Sequence, residues 1–529
     1  MESPTDKRKR VVVVGGGWAG FGAAKHLAEE GYDVTLLDAS PNPGGLSSGW
    51  RTKEGRTVEA GIKGFWYQYP NIFSLIHDDL KITPWPLTEC TESGLWSPSG
   101  LQCVAPVMQN RQRFPSPLGL MYYTSFGDYR FRNLPLADRA SMLPLLTAVL
   151  EHDIDDDAYR EYDKLSAHEL FRRFGVSDRL YEEFLRPILL VGLFAPPEEL
   201  SAAVTLGMLY FYVLGHQYDF DVAWCRGTLS ERIFMPLVSR IESSGGTVKG
   251  GQFVTSIDVD EQTGAVRRVM AKDAASGEER VFETDAVVMA VGINAMKKLV
   301  TQSPSLKRPE FRKVMNLKSL DVISTRVWLD KKIDFEYPSN VFSGFDETVG
   351  GTFFHLNDLQ DEYRDAEGSV VACDFYHAAE LLPLSDEQIV GKIFSMLSTV
   401  KPEVSSAKVV DSAVLRFPQA VTAFAPGTYA NRPTQTTSIN NLFLAGDWVR
   451  LKHGAQGLSQ ERAYVSGLAA ANLAVTALGQ GKTATILDTE EDEVQVQLGK
   501  RVLKGLRNTY STVLGRPPPS PLPNLIPRF

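Results

Sequence analysis

The sequence predicts an α/β fold: a parallel sheet flanked by helices, with a second, mixed domain inserted into it. Two observations predict it. A β-branched run, Arg10-Val-Val-Val-Val14, leads at once into clustered glycines and then into an amphipathic helix pattern. A second short apolar run, ending in Gly446-Asp447, stands near the other end of the chain. The 529 residues are 43% hydrophobic, enough for a large core. At roughly 150 residues per domain, length alone allows two to four units. The net charge is −9, from 55 basic and 64 acidic side chains. That balance argues against nucleic acid as a partner, because phosphate binding needs a basic surface. Cys90, Cys103, Cys225 and Cys373 lie far apart with no CxxC pair, so neither a disulfide framework nor a zinc site is expected. The eight histidines show no HxxxH or HExxH spacing. No stretch reaches the ~18 apolar residues of a membrane span, and no targeting segment is visible.

The first forty residues carry the strongest signal. Gly15-Gly-Gly-Trp18-Ala19-Gly20 fits G-x-G-x-x-G, between the first strand and a helix ending near Gly31. Asp33 to Asp38 is the next strand, and it ends in an acid. Gly15 permits the tight turn, Gly17 lets the backbone approach a pyrophosphate, and Gly20 lets the helix pack on the strand. The helix start at Trp18 and Ala19 offers free N–H groups and positive potential to phosphates. Asp38 suits ribose hydroxyls and would repel a 2′-phosphate, so NADP is disfavoured while NAD and FAD remain.

Asp38-Ala39-Ser-Pro-Asn-Pro-Gly-Gly45-Leu46 sets a second Gly-Gly pair just beyond the acid. This resembles the extended dinucleotide motif of flavoproteins in the amine oxidase and carotenoid desaturase superfamily. The resemblance implies non-covalent FAD in a Rossmann-like FAD-binding domain of the GR2 flavoprotein type, with an inserted α+β substrate domain. It also implies that the glycine pair ending at Gly45 brings backbone near the diphosphate, with Ala39 and Leu46 also binding the cofactor. Asn441-Leu-Phe-Leu-Ala-Gly446-Asp447 is similar to the superfamily's C-terminal FAD motif. There Asp447 would meet pyrophosphate and ribitol, and a helix from Gly457 to Leu473, with Gln460 near its start, would point at the flavin. Gly245-Gly-Thr-Val and Val254-Thr-Ser-Ile257 resemble the segment that lays a valine against the adenine. Asp285 to Gly292 resembles the strand beneath the flavin-binding sheet. The FAD domain is then 1–85, 226–300 and 435–480, and the substrate domain 86–225 and 301–434. Residues 481–529 form a C-terminal helix and a proline-rich tail. The helix reads from Asp488 to Gly515, acidic at Glu490–Glu493 and basic at Lys500, Arg501, Lys504 and Arg507. That order suits the helix dipole, and the basic half also suits anionic lipid.

A narrower resemblance is to plant- and cyanobacterial-type phytoene and ζ-carotene desaturases. Gly61-Ile-Lys63-Gly64-Phe-Trp-Tyr-Gln-Tyr69-Pro-Asn71 is similar to their G-L-H-x-F-F-x-x-Y-P-N stretch, which adds Lys63, Gly64 and Tyr69 to the cofactor set. Arg113–Leu118, Cys225–Leu237 and Phe417–Val421 resemble further segments. The resemblance implies an FAD-dependent oxidoreductase acting on a long apolar isoprenoid, polyene or lipid. A hydride would pass from an allylic carbon to the flavin, followed by proton loss, with a quinone-type acceptor. The cofactor carries that chemistry, so no protein acid or base is assigned. The setting implied is the periphery of a plastid or photosynthetic membrane, with the cytoplasm as the alternative. The chain departs from the pattern at Lys63 (family His), at Tyr212 (family Arg) and at Arg462 (family Gly). Tyr212, Trp448 and Ala455 are the candidate substrate-lining residues. The apolar stretch 185–224 reads as buried helices, with a tunnel wall or a patch in one membrane leaflet as the alternative. Three rivals stay open: an amine oxidase of the same fold, a polyene isomerase using FAD without net redox change, and an inert flavin- or pigment-binding protein.

Overall fold

The computed structural model describes residues 8–454 and 457–515. Five parallel strands form one sheet: β1 (Arg10–Val14), β2 (Asp33–Leu37), β3 (Thr247–Lys249), β4 (Ala286–Met289) and β5 (Leu442–Leu444). Their spatial order is β5-β4-β1-β2-β3. A parallel sheet covered on both faces needs apolar residues at every position, which is why β1 is an unbroken valine run, each valine at most 4% exposed. Helices α1 (Trp18–Glu29) and α2 (Gln460–Leu478) cover one face and touch through glycines. A Cβ at Gly467 would sit 2.0 Å from the Ala19 carbonyl oxygen, and one at Gly22 2.8 Å from that of Tyr464. Chain segments more than 400 residues apart are thereby packed backbone to backbone. The expected start of α2 at Gly457 shifts to Gln460, because Gly457 takes a left-handed φ of +69° and Ser459 caps the helix, accepting from the Arg462 N–H at 3.2 Å. On the other face lies an antiparallel meander, Gln252–Val259, Val266–Asp273 and Glu279–Glu283. Its Val254, Ile257 and Val269 pack against Val12, Val14 and Leu37.

The second sheet has seven strands, in the order Val409–Ala423, Lys318–Leu329, Val370–Tyr376, Gly350–His355, Ser339–Phe342, Ser93–Ser97, Gly100–Ala105. Neighbours are antiparallel except the pair formed by Ser339–Phe342 and Ser93–Ser97. Helices from the segment between Leu145 and Leu209 pack over one side, with Leu206, Leu189 and Phe171 in one core with Val322 and Val421. The apolar residues of 185–224 are therefore interior, while Glu198 and Glu199 between them are exposed. Every residue of the helix Ala202–Leu209 is buried, which leaves that segment no face for a leaflet.

The tail differs from the expected helix over 488–515. Its helix α3 spans Val494–Leu514, and the acids before it lie on an extended strap. Side chains of the body take the strap's backbone groups, and these bonds replace a helical turn. Asn71 accepts from the Leu487 N–H at 2.8 Å and donates to its carbonyl at 2.7 Å. Gln68 accepts from the Glu490 N–H at 3.0 Å, and His216 lies 2.6 Å from the Glu491 carbonyl. Tyr32 donates to the Gln480 carbonyl, so the strap begins beside β2. It ends at Ser116, whose N–H donates to Glu493 at 3.0 Å. No helix among the described residues is long and apolar enough to cross a membrane.

Candidate functional site

A cavity of about 470 Å³ lies past the C-terminal ends of β1, β2, β4 and β5, where α/β sheets hold their ligands. One end is built from glycine turns. Gly15 has φ +102°, and a Cβ there would sit 2.4 Å from the Ala290 carbonyl oxygen. A Cβ at Gly20 would lie 1.7 Å from the Gly15 carbonyl oxygen. Protein packing alone demands both. Gly17 is different: the nearest atom to a Cβ placed there is the Gly45 Cα, 3.9 Å away, and both residues border the cavity. Its openness leaves room for a group from outside the chain. Helix α1 starts with no side-chain cap and no acid in its first turn, so the N–H groups at Trp18 and Ala19 remain available to an anion. Asp38 ends β2 at the same place. Its Oδ2 accepts from the Gly16 N–H at 2.5 Å and its Oδ1 from the Ser40 N–H at 2.7 Å. Burial pushes the Asp38 carboxyl above its ordinary pKa, and the two N–H bonds pull it back. Ala39, Gly45, Leu46, Val254 and Gly292 also line the cavity.

The other end joins segments from distant parts of the chain. Gly446 turns at φ +125°, and Asp447 beside it accepts from the Thr422 hydroxyl at 2.9 Å. Burial raises the Asp447 pKa. Trp448 is 1% exposed and donates its indole N–H to the Val291 carbonyl at 2.8 Å. The ring is thus locked into the core, with part of its surface on the cavity. Gln460 ties three pieces together: it accepts from the Trp18 indole at 2.9 Å and donates to the Gly64 carbonyl at 2.9 Å. Lys63 lines the cavity and donates from Nζ to the carbonyls of Ala60 (2.6 Å) and Gly61 (3.3 Å). Burial pushes its pKa down, against the pull of Asp374 and Glu59.

The remaining expected residues lie elsewhere. Gly20 and Gly64 sit behind the wall, one packing α1 on the turn and the other accepting from Gln460. Tyr69 is 2% exposed and interacts with Ser459 and Tyr212. Tyr212 is not on the cavity wall; it packs edge-on against Trp66 with centroids 4.8 Å apart. Ala455 lies outside the described residues. Arg462, the residue standing where the resemblance has glycine, turns away from the cavity. It donates to the carbonyls of Leu451 (3.1 Å) and Val449 (3.2 Å), leaving the N-terminus of α2 unobstructed.

Three residues escaped the sequence reading. Glu461 is fully buried and accepts from the Asn71 N–H (2.9 Å), the Asn71 amide (2.6 Å) and the Ile72 N–H (3.0 Å). It anchors the short helix Pro70–Ser74 to α2, and burial raises its pKa to about 7. Both ends of that contact stand in recognisable motifs, but no local pattern pairs them. Asp374 lines the cavity from the buried strand Val370–Tyr376, accepting from Ile62 N–H at 3.1 Å and the Ser324 hydroxyl at 2.6 Å. An acid inside an apolar strand was the available signal. Phe194 borders the cavity at φ +63°, and its ring stacks on Tyr376 at 4.0 Å. A left-handed bulky residue costs about 1–2 kcal/mol, and such outliers gather at ligand sites. Nothing in the sequence marks it.

An open glycine cradle, an uncapped helix start, a ribose-ready acid and a second acid at the far end together fit an elongated dinucleotide. The family model of flavin-containing amine oxidoreductases matches residues 18–475, and the chain belongs to this family. The protein is an FAD-dependent oxidoreductase of the amine oxidase and desaturase superfamily. Over 480 residues it is 27% identical to a 15-cis-phytoene desaturase of Solanum lycopersicum, chloroplastic/chromoplastic, covering 87% of this chain and 76% of the relative. It is 25% identical to the 15-cis-phytoene desaturase of Synechococcus elongatus, covering 87% of this chain and 94% of the relative. Among solved structures it resembles the cyclohexylamine oxidase of Brevibacterium oxydans IH-35A, with TM-score 0.66 and 14% identity over 89% of this chain and all of that one. A putrescine oxidase with bound putrescine gives TM-score 0.63 at 15% identity, covering 89% of this chain and 98% of that one. These likenesses establish the fold.

Proposed function

We propose that the protein dehydrogenates a long apolar polyene or related isoprenoid lipid, with a quinone-type acceptor reoxidising the cofactor. The similarity to phytoene desaturases across 87% of the chain carries this reading. The cavity supports it, because Phe194, Val322, Phe417 and Val421 give its far end an apolar wall. FAD, when bound, supplies the hydride acceptor. The chain's residues do the rest. Gly17 and the start of α1 would hold the diphosphate, Asp38 the ribose and Asp447 the ribityl end. The N-terminus of α2 places positive potential at the ring end. Lys63 lies on the same wall, and the apolar residues orient the substrate and exclude water. A plastid or photosynthetic membrane setting goes with this reading, as the tomato relative is chloroplastic/chromoplastic.

The test is anaerobic incubation of the flavin-loaded protein with linear polyenes. The expected result is bleaching of the oxidised-flavin band, near about 450 nm for any flavin, and a product two hydrogens lighter by mass. Peroxide released from polyamines, with polyenes untouched, would replace the reading with amine oxidation. A product of unchanged mass would point to an isomerase, and bound flavin that no polyene bleaches to an inert binder.

A further inference from the structure

Helix α3 leaves exposed an apolar face that an ordinary surface helix would bury. Toward the body it turns Val496, 2% exposed in one core with Leu145 and Leu206, together with charge. Arg507 is 4% exposed and pairs with the buried Glu151, while Lys500 pairs with Asp492 at 3.3 Å and Asp153 at 3.4 Å. Away from the body it turns Val494, Leu498, Val502 and Leu506, spaced four apart, and then Val513, each 54–80% exposed. That spacing puts them on one stripe. A second apolar group adjoins the start of the helix. The turn Leu118–Tyr123 and its flank expose Leu118, Met121, Tyr122 and Phe126. It is fixed to α3 through Ser116, whose carbonyl accepts from the Gln495 amide at 3.1 Å. The two strips therefore meet beside Val494. Contiguous apolar surface of this kind marks an interface.

Charge indicates the partner. The chain carries −9 overall, yet α3 holds four basic residues and no acid. Arg501 lies exposed at the edge of the stripe, beside Val494, and Lys504 is exposed further round the helix. Along the chain the second strip is flanked by the exposed Arg130 and Arg132, and by Arg111 and Arg113, which pair with Glu92 and Glu493. A second copy of the chain would set these like charges against one another across a two-fold contact.

We propose that the paired strips are a docking face for an anionic lipid surface, with α3 lying in the plane of one leaflet. The aliphatic stripe enters the acyl boundary, and Arg501 and Lys504 reach the headgroup phosphates. This face stands apart from the cofactor cavity, so it holds whatever the substrate is.

Vesicle flotation of the flavin-loaded full chain tests it, read by gel so that the result does not depend on activity. The wild type is expected to float with phosphatidylglycerol vesicles and at least tenfold less with phosphatidylcholine. The variant L498E/V502E/L506E should lose flotation at least tenfold while keeping its flavin content. The variant R501E/K504E should lose the preference for phosphatidylglycerol. The proposal is overturned if the wild type stays with the protein-only fraction, or if the triple variant floats as well as the wild type. A dimer seen by light scattering that the triple variant dissolves, without vesicle binding, assigns the face to a second copy instead. Flotation gained only on truncation after Gly515 assigns it to residues 516–529, and overturns it equally.

Discussion

The two ends of the cavity are built by different means. At one end the parts are backbone: Gly15, Gly17 and Gly20 within six residues, and the open start of α1. At the other they are side chains drawn from distant segments: Lys63, Asp374, Asp447 and Gln460. The first is a local device that tolerates almost no change. The second is an assembly whose members can be exchanged while the fold persists, and there the chain departs from the desaturase pattern at Lys63. The comparison suggests that cofactor binding and substrate choice respond to separate sets of mutations.

The largest effect expected comes from the backbone end. Gly20→Val would drive a side chain into the Gly15 carbonyl, 1.7 Å from the Cβ position, and should abolish both soluble folded protein and flavin content. A variant that purifies with one flavin per chain would break the comparison. Glu461→Gln comes next. The folded protein holds this proton up to about pH 7, whereas an unfolded glutamate releases it near its ordinary 4.5. The unfolded state thus binds fewer protons in that window, and stability falls as pH rises from about 4.5 to about 7, then levels. The fall is on the order of 3 kcal/mol. Urea midpoints at pH 5 and pH 7.5 should differ in the wild type and converge in the Gln variant; parallel shifts would show that Glu461 is not the cause.

Gly17→Ala sharpens the contrast. Its Cβ has room within the protein, so apo-protein stability should hold within about 1 kcal/mol, while the FAD dissociation constant rises at least tenfold, about 1.4 kcal/mol. Unchanged affinity by flavin fluorescence would mean that no ligand approaches there. Tyr212→Phe is expected to do least. The residue packs on Trp66 off the cavity wall, so turnover should stay within twofold; a tenfold loss would bring it back to the substrate.

The same division explains what could be read in advance. The strand–glycine–helix–strand unit and the Gly446-Asp447 turn are local patterns whose spacing is set by backbone geometry, and both lie on the cavity. The interior position of Ala202–Leu209 follows from its unbroken apolar character. The contact between Glu461 and Asn71 spans 390 residues and has no local sign. Arg462 stands where the resemblance has glycine, and its identity says nothing of the direction its side chain takes. The strap before α3 looked helical because acids followed by bases suit a helix dipole, yet Gln68, Asn71 and His216 claim its backbone first. Tertiary partners overrode a local preference there.

The strand order of the parallel sheet has a bearing on how the protein is made. β1 sits between β2 and β4, and it leaves the ribosome long before residue 286 exists, let alone β5 at 442. At ~5–20 residues per second, the wait from β1 to β4 lasts roughly 14–55 s. Throughout it one edge of the valine strand lacks its neighbour, an aggregation hazard that calls for chaperone cover. The flavin pocket closes only when α2 settles on α1, so cofactor loading belongs to the last moments of synthesis or after it. Cells short of flavin should therefore accumulate this protein as a late, nearly complete folding intermediate rather than as early fragments.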